Sequence, residues 1–140
     1  MLGGAGCKWM NDIKPIGYLI MAVGNQFGLT ISNRSDTFMS YTVNKLDEFN
    51  AWMLSIKDRQ TRFRLIRRVN RIENGLFGDS GPVGEDVQEL REFFGPGWRM
   101  YCIKLDEVFV FMLYGGDKSS QVADIAIAKQ LARNLKGCLQ

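Results

Sequence analysis

The chain has no histidine. It therefore lacks the side chain that most often moves protons near neutral pH and most often ligates metal ions. Cysteine is scarce. Cys7, Cys102 and Cys138 are an odd-numbered set with no C-x-x-C spacing, which argues against a disulfide framework and for a reducing cytoplasm. With histidine absent and the cysteines scattered, a zinc site is not expected, and no cofactor signature is present. Long hydrophobic runs are missing too. The most apolar segment, "IGYLIMAVGNQFGLTI", is broken by glycines, Asn25 and Gln26. Its longest uninterrupted run is about nine residues, where a membrane span needs about 20. The run Gly115-Gly116-Asp117-Lys118-Ser119-Ser120 is far from a Walker sequence, so nucleotide hydrolysis is not expected. There is no internal repeat and no low-complexity segment.

What is present points to one small globular domain. The length is 140 residues and 46% are apolar, enough for a core of modest size. The net charge of +3 is unevenly spread. Arg59, Arg62, Arg64, Arg67, Arg68 and Arg71 follow one another with no acid inside the span, a pattern suited to RNA, DNA or an acidic protein.

Residues 1–39 differ from the rest and read as a poorly ordered or artefactual extension, with Met39 as a natural start. Two other readings stay open. One is a secretory signal with Lys8, an apolar centre and Ala22-Val23-Gly24 as cleavage site; the other is a short element packed on the domain. The domain itself is expected over residues 40–137.

From Tyr41 the pattern sharpens. Tyr41–Asn44 is a short strand candidate. Leu46, Phe49, Met53 and Ile56 recur at helical spacing. A second helix is expected from Arg59 to Asn74, with Gly75 as its C′ residue. On a helical wheel Leu65, Ile66, Val69 and Ile72 share one arc, and Arg64, Arg67, Arg68 and Arg71 the opposite, solvent-facing one. The span 75–86 reads as a loop. Strands follow from Val87, from Trp98 and from Val108, the last two joined by a tight turn at Asp106-Glu107. The final helix has Ser119 or Ser120 as N-cap, a stripe through Val122, Ile125, Ala128, Leu131 and Leu135, and Gly137 as terminator. The expected order is β-α-α-β-β-β-α. The class is α+β: a small antiparallel sheet with an N-terminal helical hairpin on one face.

Two stretches, "LREFFGPGWRMYC" and "MLYGGDKSSQVADI", resemble the toxins of type II toxin–antitoxin pairs. The superfamily is RelE/ParE, and the nearest branch is the HigB-like addiction module killer group. The likeness spans about Tyr41 to Asn134. It implies a microbial RNase fold and one of two activities: cleavage of mRNA on the ribosome, as in RelE-like and HigB-like toxins, or inhibition of DNA gyrase, as in ParE-like toxins. A decayed toxin acting as co-repressor is a third reading. The implied partners are a cognate antitoxin with a helix-turn-helix DNA-binding domain, mRNA and the ribosome, and operator DNA through the antitoxin alone.

Mapped onto this chain, the resemblance assigns Arg99 to the strand arginine of the motif G-[YW]-R. It assigns Arg91 to the arginine of the preceding "LR" pair and Lys118 to a basic residue after the last strand. The C-terminal tyrosine of the best-known RelE members has no counterpart, because Asp124 falls there. Their strand lysines are replaced by "EFFGPG".

The chemistry fits these residue types. RNA brings its own 2′-OH nucleophile, so a protein can act largely by fixing cations at the phosphate oxygens. Arginine does so bidentately and keeps its charge. Arg99 and Lys118 are the candidates to stabilise charge, Arg91 to position the phosphate, and Asp117 to serve as base or as helix cap. Arg64, Arg67, Arg68 and Arg71 are either a solvated face or a grip on ribosomal RNA. Tyr101 is either a base-stacking platform or packing.

Overall fold

The computed structural model describes residues 40–139; the expectation for residues 1–39 falls outside them. A five-stranded sheet in the order β1-β5-β4-β3-β2 forms the centre. Its strands are β1 (Thr42–Lys45), β2 (Ser80–Gly84), β3 (Val87–Arg91), β4 (Trp98–Leu105) and β5 (Phe109–Asp117). Helices α1 (Asp47–Ser55) and α2 (Arg59–Ile72) connect β1 to β2, and α3 (Gln121–Leu139) closes the chain. The α+β class and the helical hairpin on one face are as expected.

Four strands run antiparallel, and β1 joins them parallel to β5, with Thr42 opposite Phe109 and Lys45 opposite Met112. The span 75–86 is not all loop. Ser80–Gly84 pairs with β3 as an edge strand, where Pro82 is tolerated because an edge needs fewer ladder donors.

The sheet is buried on both faces, so its central strands are nearly all apolar. On one side α1 and α2 pack Phe49, Met53, Leu65, Val69 and Ile72 against Leu90, Met100, Cys102 and Met112. On the other, α3 packs Ala128, Leu131 and Leu135 against Val87, Tyr101, Ile103, Phe111 and Leu113. Alternation along the strands assigns each residue its face. Tyr101 and Arg99 therefore point to the α3 side, and Met100 to the hairpin side.

Local chemistry fixes the element ends. Asp58 caps α2 by accepting from the Thr61 amide at 3.1 Å and the Thr61 hydroxyl at 2.6 Å. Those bonds hold its carboxyl below the usual value. The α2 C-terminus closes as a Schellman motif: the Gly75 amide donates to Ile72 O and the Leu76 amide to Arg71 O, with Gly75 at φ 80°. At the start of the last helical segment the cap is Asp117 rather than Ser119 or Ser120. Its carboxylate accepts from the Ser119 amide at 2.9 Å and the Ser119 hydroxyl at 2.5 Å. A short 3₁₀ turn, Lys118–Ser120, then leads into α3.

Helix α3 runs through Gly137 to Leu139, so Gly137 does not terminate it. Its buried stripe is Asp124, Ala128, Leu131, Ala132 and Leu135, while Val122 is exposed. Cys102 is a free, buried thiol whose pKa burial pushes up to about 12.

Candidate functional site

Strands β3 and β4 place Arg91 directly opposite Arg99, and Glu89 opposite Tyr101. All four side chains lie on the α3 side of the sheet, where Glu89, Arg99 and Tyr101 are buried and Arg91 is half-buried. Lys118 reaches the same place from the other direction. A Cβ built on Gly97 would sit 3.5 Å from Lys118 Cβ and 3.8 Å from Arg99 Nη1. The turn before β4, with Gly97 at φ 84°, is thus bracketed by both cations. Of the four residues expected to act on phosphate, Arg99 and Lys118 meet at this turn, while Arg91, opposite Arg99 in the ladder, turns its guanidinium toward Gly81 and Asp79. The fourth, Asp117, is committed to its cap; the Ser119 hydroxyl and the local amides hold its carboxyl below the usual range.

The three cations differ in freedom. Lys118 is exposed. Arg91 is half-buried. Its guanidinium donates to Asp79 at 3.1 Å and Glu89 at 3.3 Å, and these carboxylates raise its pKa further. Arg99 is only 5% exposed. One Nη donates to Trp98 O at 3.1 Å, and its Nε lies 3.7 Å from Glu89 Oε2 with no hydrogen-bond partner among the described residues. Phe93 covers it at 5.7 Å.

Glu89 is the organising residue that sequence reasoning missed. It is 3% exposed and accepts from Gln121 Nε2 at 2.6 Å, Tyr101 Oη at 3.3 Å and Arg91. It thereby ties β3, β4 and the first turn of α3 together. The signal was an acid at an inward position of the alternating run Val87, Glu89, Arg91.

Tyr101 is fully buried. Burial raises its pKa well above the usual value, with Glu89 and Asp124 adding to the shift. Base stacking is therefore closed to Tyr101 in this conformation.

The arginine row of α2 is also divided. Arg64, Arg67 and Arg71 are exposed and, with Arg68 and Glu92, line a shallow recess of about 220 Å³. Arg64 stacks 3.7 Å from the Phe94 ring centroid. Arg68, expected in solvent, is only 8% exposed. It pairs with Glu92 and donates to the carbonyls of Phe77, Asp79 and Arg91. Its buried guanidinium satisfies main-chain acceptors at the sheet edge, leaving it no donors for RNA. Ile66, expected in the core arc, is 37% exposed.

The glycine pair serves packing. A Cβ on Gly115 would run into the Trp52 ring, and one on Gly116 into the Asp124 carboxylate. The pair lets one side chain settle on each face of β5, which explains it without a phosphate.

No family model matches the chain. A Haemophilus influenzae protein described as "Uncharacterized protein" is 38% identical over 87 residues, covering 62% of this chain and 88% of that protein. The chain belongs to the family of that protein. Among solved structures, a free-state arginine-to-alanine double mutant of the Escherichia coli toxin RelE superposes with a TM-score of 0.53. The match covers 66% of this chain and 97% of that one, at 16% identity. The fold is therefore RelE-like. Among the described residues no helix is long and apolar enough to cross a membrane.

Proposed function

We propose that this chain is the toxin of a type II toxin–antitoxin module of the HigB-like branch. It acts in the cytoplasm as an endoribonuclease on mRNA engaged by the ribosome, and a cognate antitoxin neutralises it. The toxin domain is the part from residue 40 to 137. The observation that carries the reading is the approach of Arg99 and Lys118 at Gly97, with Arg91 opposite Arg99 in the next strand, on a RelE-like fold.

In this reading the 2′ oxygen of the RNA attacks the adjacent phosphorus. The 2′-OH gives its proton to water, the P–O5′ bond breaks to leave a 2′,3′-cyclic phosphate, the departing 5′ oxygen takes a proton from water, and the charge on the non-bridging oxygens rests on Lys118. Arg99 supports it from behind. Arg64, Arg67 and Arg71 hold the phosphates of the wider RNA target, so affinity falls steeply with salt.

One observation favours a second reading, non-enzymatic inhibition of DNA gyrase in the manner of ParE. Arg99 is buried against Glu89, as a structural arginine would be.

The test is induction of the full chain in a sensitive bacterium beside Lys118→Ala and Arg91→Ala, with transcript 5′ ends mapped within minutes. New internal mRNA ends that disappear in the variants support the ribonuclease. Growth arrest with intact transcripts moves the assignment to gyrase, and no arrest at all overturns the toxin reading.

A further inference from the structure

The loop between β3 and β4 carries two adjacent phenylalanines and gives them different surroundings. The Glu92 amide donates to Trp98 O at 2.9 Å and closes the loop, and within it the Gly97 amide donates to Phe94 O at 3.1 Å. Gly95 and Gly97 take φ of 60° and 84°, values glycine adopts without strain. Pro96 stands between them, with its own φ fixed by its ring. Phe94 packs on the hydrophobic cluster beneath the helical hairpin and carries the Arg64 guanidinium 3.7 Å from its ring centroid. Phe93 lies instead against Arg99, whose Cζ stands 5.7 Å from the ring centroid.

Packing accounts for Phe94 and leaves Phe93 unexplained. Phe93 belongs to neither hydrophobic cluster of the domain and is 71% exposed. One face of its ring rests on a guanidinium that is itself fixed, buried beside Glu89 and bonded to Trp98 O. The other face is open. Tyr101, the ring that the sequence offered for stacking, is fully buried two residues beyond Arg99.

The same arginine joins Phe93 to Lys118. Arg99 and Lys118 approach each other at Gly97, and Lys118 is exposed. An exposed ring and an exposed ammonium therefore flank one buried guanidinium. The acids adjacent in sequence are engaged: Glu92 pairs with Arg68, and Asp117 caps through Ser119. A cation beside an open aromatic face is the pairing that single-stranded nucleic acid takes, the cation for a phosphate and the ring for a base.

We propose that Phe93 is a stacking platform for a base of the RNA next to the scissile phosphate, a proposal that rests on the ribonuclease reading. With the phosphate on Lys118, a flanking base lies on the open face of Phe93. Its role is to position the RNA. Every base has a π-face, so the contact tolerates any sequence. The loop bonds hold the ring in place before RNA arrives, which lowers the ordering cost of binding.

The experiment uses the purified full chain and ribosomes programmed with a short mRNA cut at one mapped position. Each nucleotide flanking the cut is replaced in turn by an abasic riboside. At subsaturating toxin, Phe93→Ala should slow cleavage by about 5- to 100-fold, the loss of one stacked base. The fold should be kept, since the side chain is exposed. Phe93→Trp should retain the rate, and Phe93→Leu, apolar without a π-face, should not. One abasic position should slow the wild type by a similar factor and slow Phe93→Ala little further, because both changes remove the same contact. The proposal is overturned if Phe93→Ala cuts as fast as wild type, or if Phe93→Leu restores the rate. It is also overturned if no abasic position slows the wild type, or if the two losses multiply at every position. Any of these results with cleavage by the wild type removes the platform and leaves the ribonuclease standing; no cleavage by the wild type overturns both.

Discussion

Arg99 Nε lies 3.7 Å from Glu89 Oε2, with both side chains almost wholly buried. Removing one partner of such a pair strands the other in a poorly solvating interior. Glu89→Ala should cost about 3–5 kcal/mol in urea denaturation, because Arg91, Tyr101 and Gln121 all lose an acceptor and buried Arg99 loses its counter-charge. Glu89→Gln should recover part of that loss, since an amide oxygen can still accept. A loss below about 1 kcal/mol for Glu89→Ala would show that water replaces the carboxylate at little cost.

Neighbouring arginines of α2 should behave differently. Arg68→Ala removes a donor from the carbonyls of Phe77, Asp79 and Arg91, of which Asp79 keeps the Arg91 amide, and leaves Glu92 without its partner. A loss of about 3 kcal/mol or more is expected. Arg67→Ala, on the exposed side, should change stability by no more than about 0.5 kcal/mol. Thermal melts of the two variants measure the contrast; equal effects would contradict the burial of Arg68.

The glycines make a third comparison. Gly115→Ala and Gly116→Ala must displace Trp52 or Asp124, and each should cost about 1–3 kcal/mol or more as overpacking. Around a Cβ on Gly137 there is nothing within 4 Å, and this residue lies in α3. Gly137→Ala should therefore be stabilising by about 0.5–1 kcal/mol. Circular-dichroism melts of all three test the ranking.

The Asp117 cap gives a pH signature. Its folded pKa is below the unfolded value of 3.8, chiefly through the Ser119 hydroxyl. A depressed carboxylate pKa means stability fully present above the unfolded value and lost as pH falls through the folded one. Asp117→Ala should cost about 1 kcal/mol at neutral pH. The gap to wild type should close progressively below about pH 4 in denaturant titrations. A gap independent of pH would show that the carboxylate's charge plays no part.

Much of this architecture was legible because local signals agreed with the final packing. Gly75 ends α2 with positive φ as its position implied, and Asp106-Glu107 forms the tight turn, both residues at positive φ. Strand β2 was hidden because Ser-Gly-Pro-Val-Gly has loop composition, and its turn to β3 uses Glu85 and Asp86 at φ 55° and 68° without glycine at either position. Only pairing with β3 makes it a strand. At the site, the types and approximate positions of Arg91, Arg99 and Lys118 could be read from the chain. Their unequal burial could not, since it depends on Glu89 and Gln121, which lie 32 residues apart and meet only in the folded state. Arg68 was misplaced for a related reason. Its wheel position borders the apolar arc, and the acceptors that draw it inward come from the β2–β3 region.

The parallel pairing of β1 with β5 also bears on the order in which the molecule can assemble. Thr42 must wait for Phe109 before it has a neighbour in the sheet, and Lys118 emerges later still. Closing so long a loop is slow compared with making the α1–α2 hairpin. A nascent chain on the ribosome can form its helices early. It cannot bring Arg99 and Lys118 together until synthesis has passed Lys118.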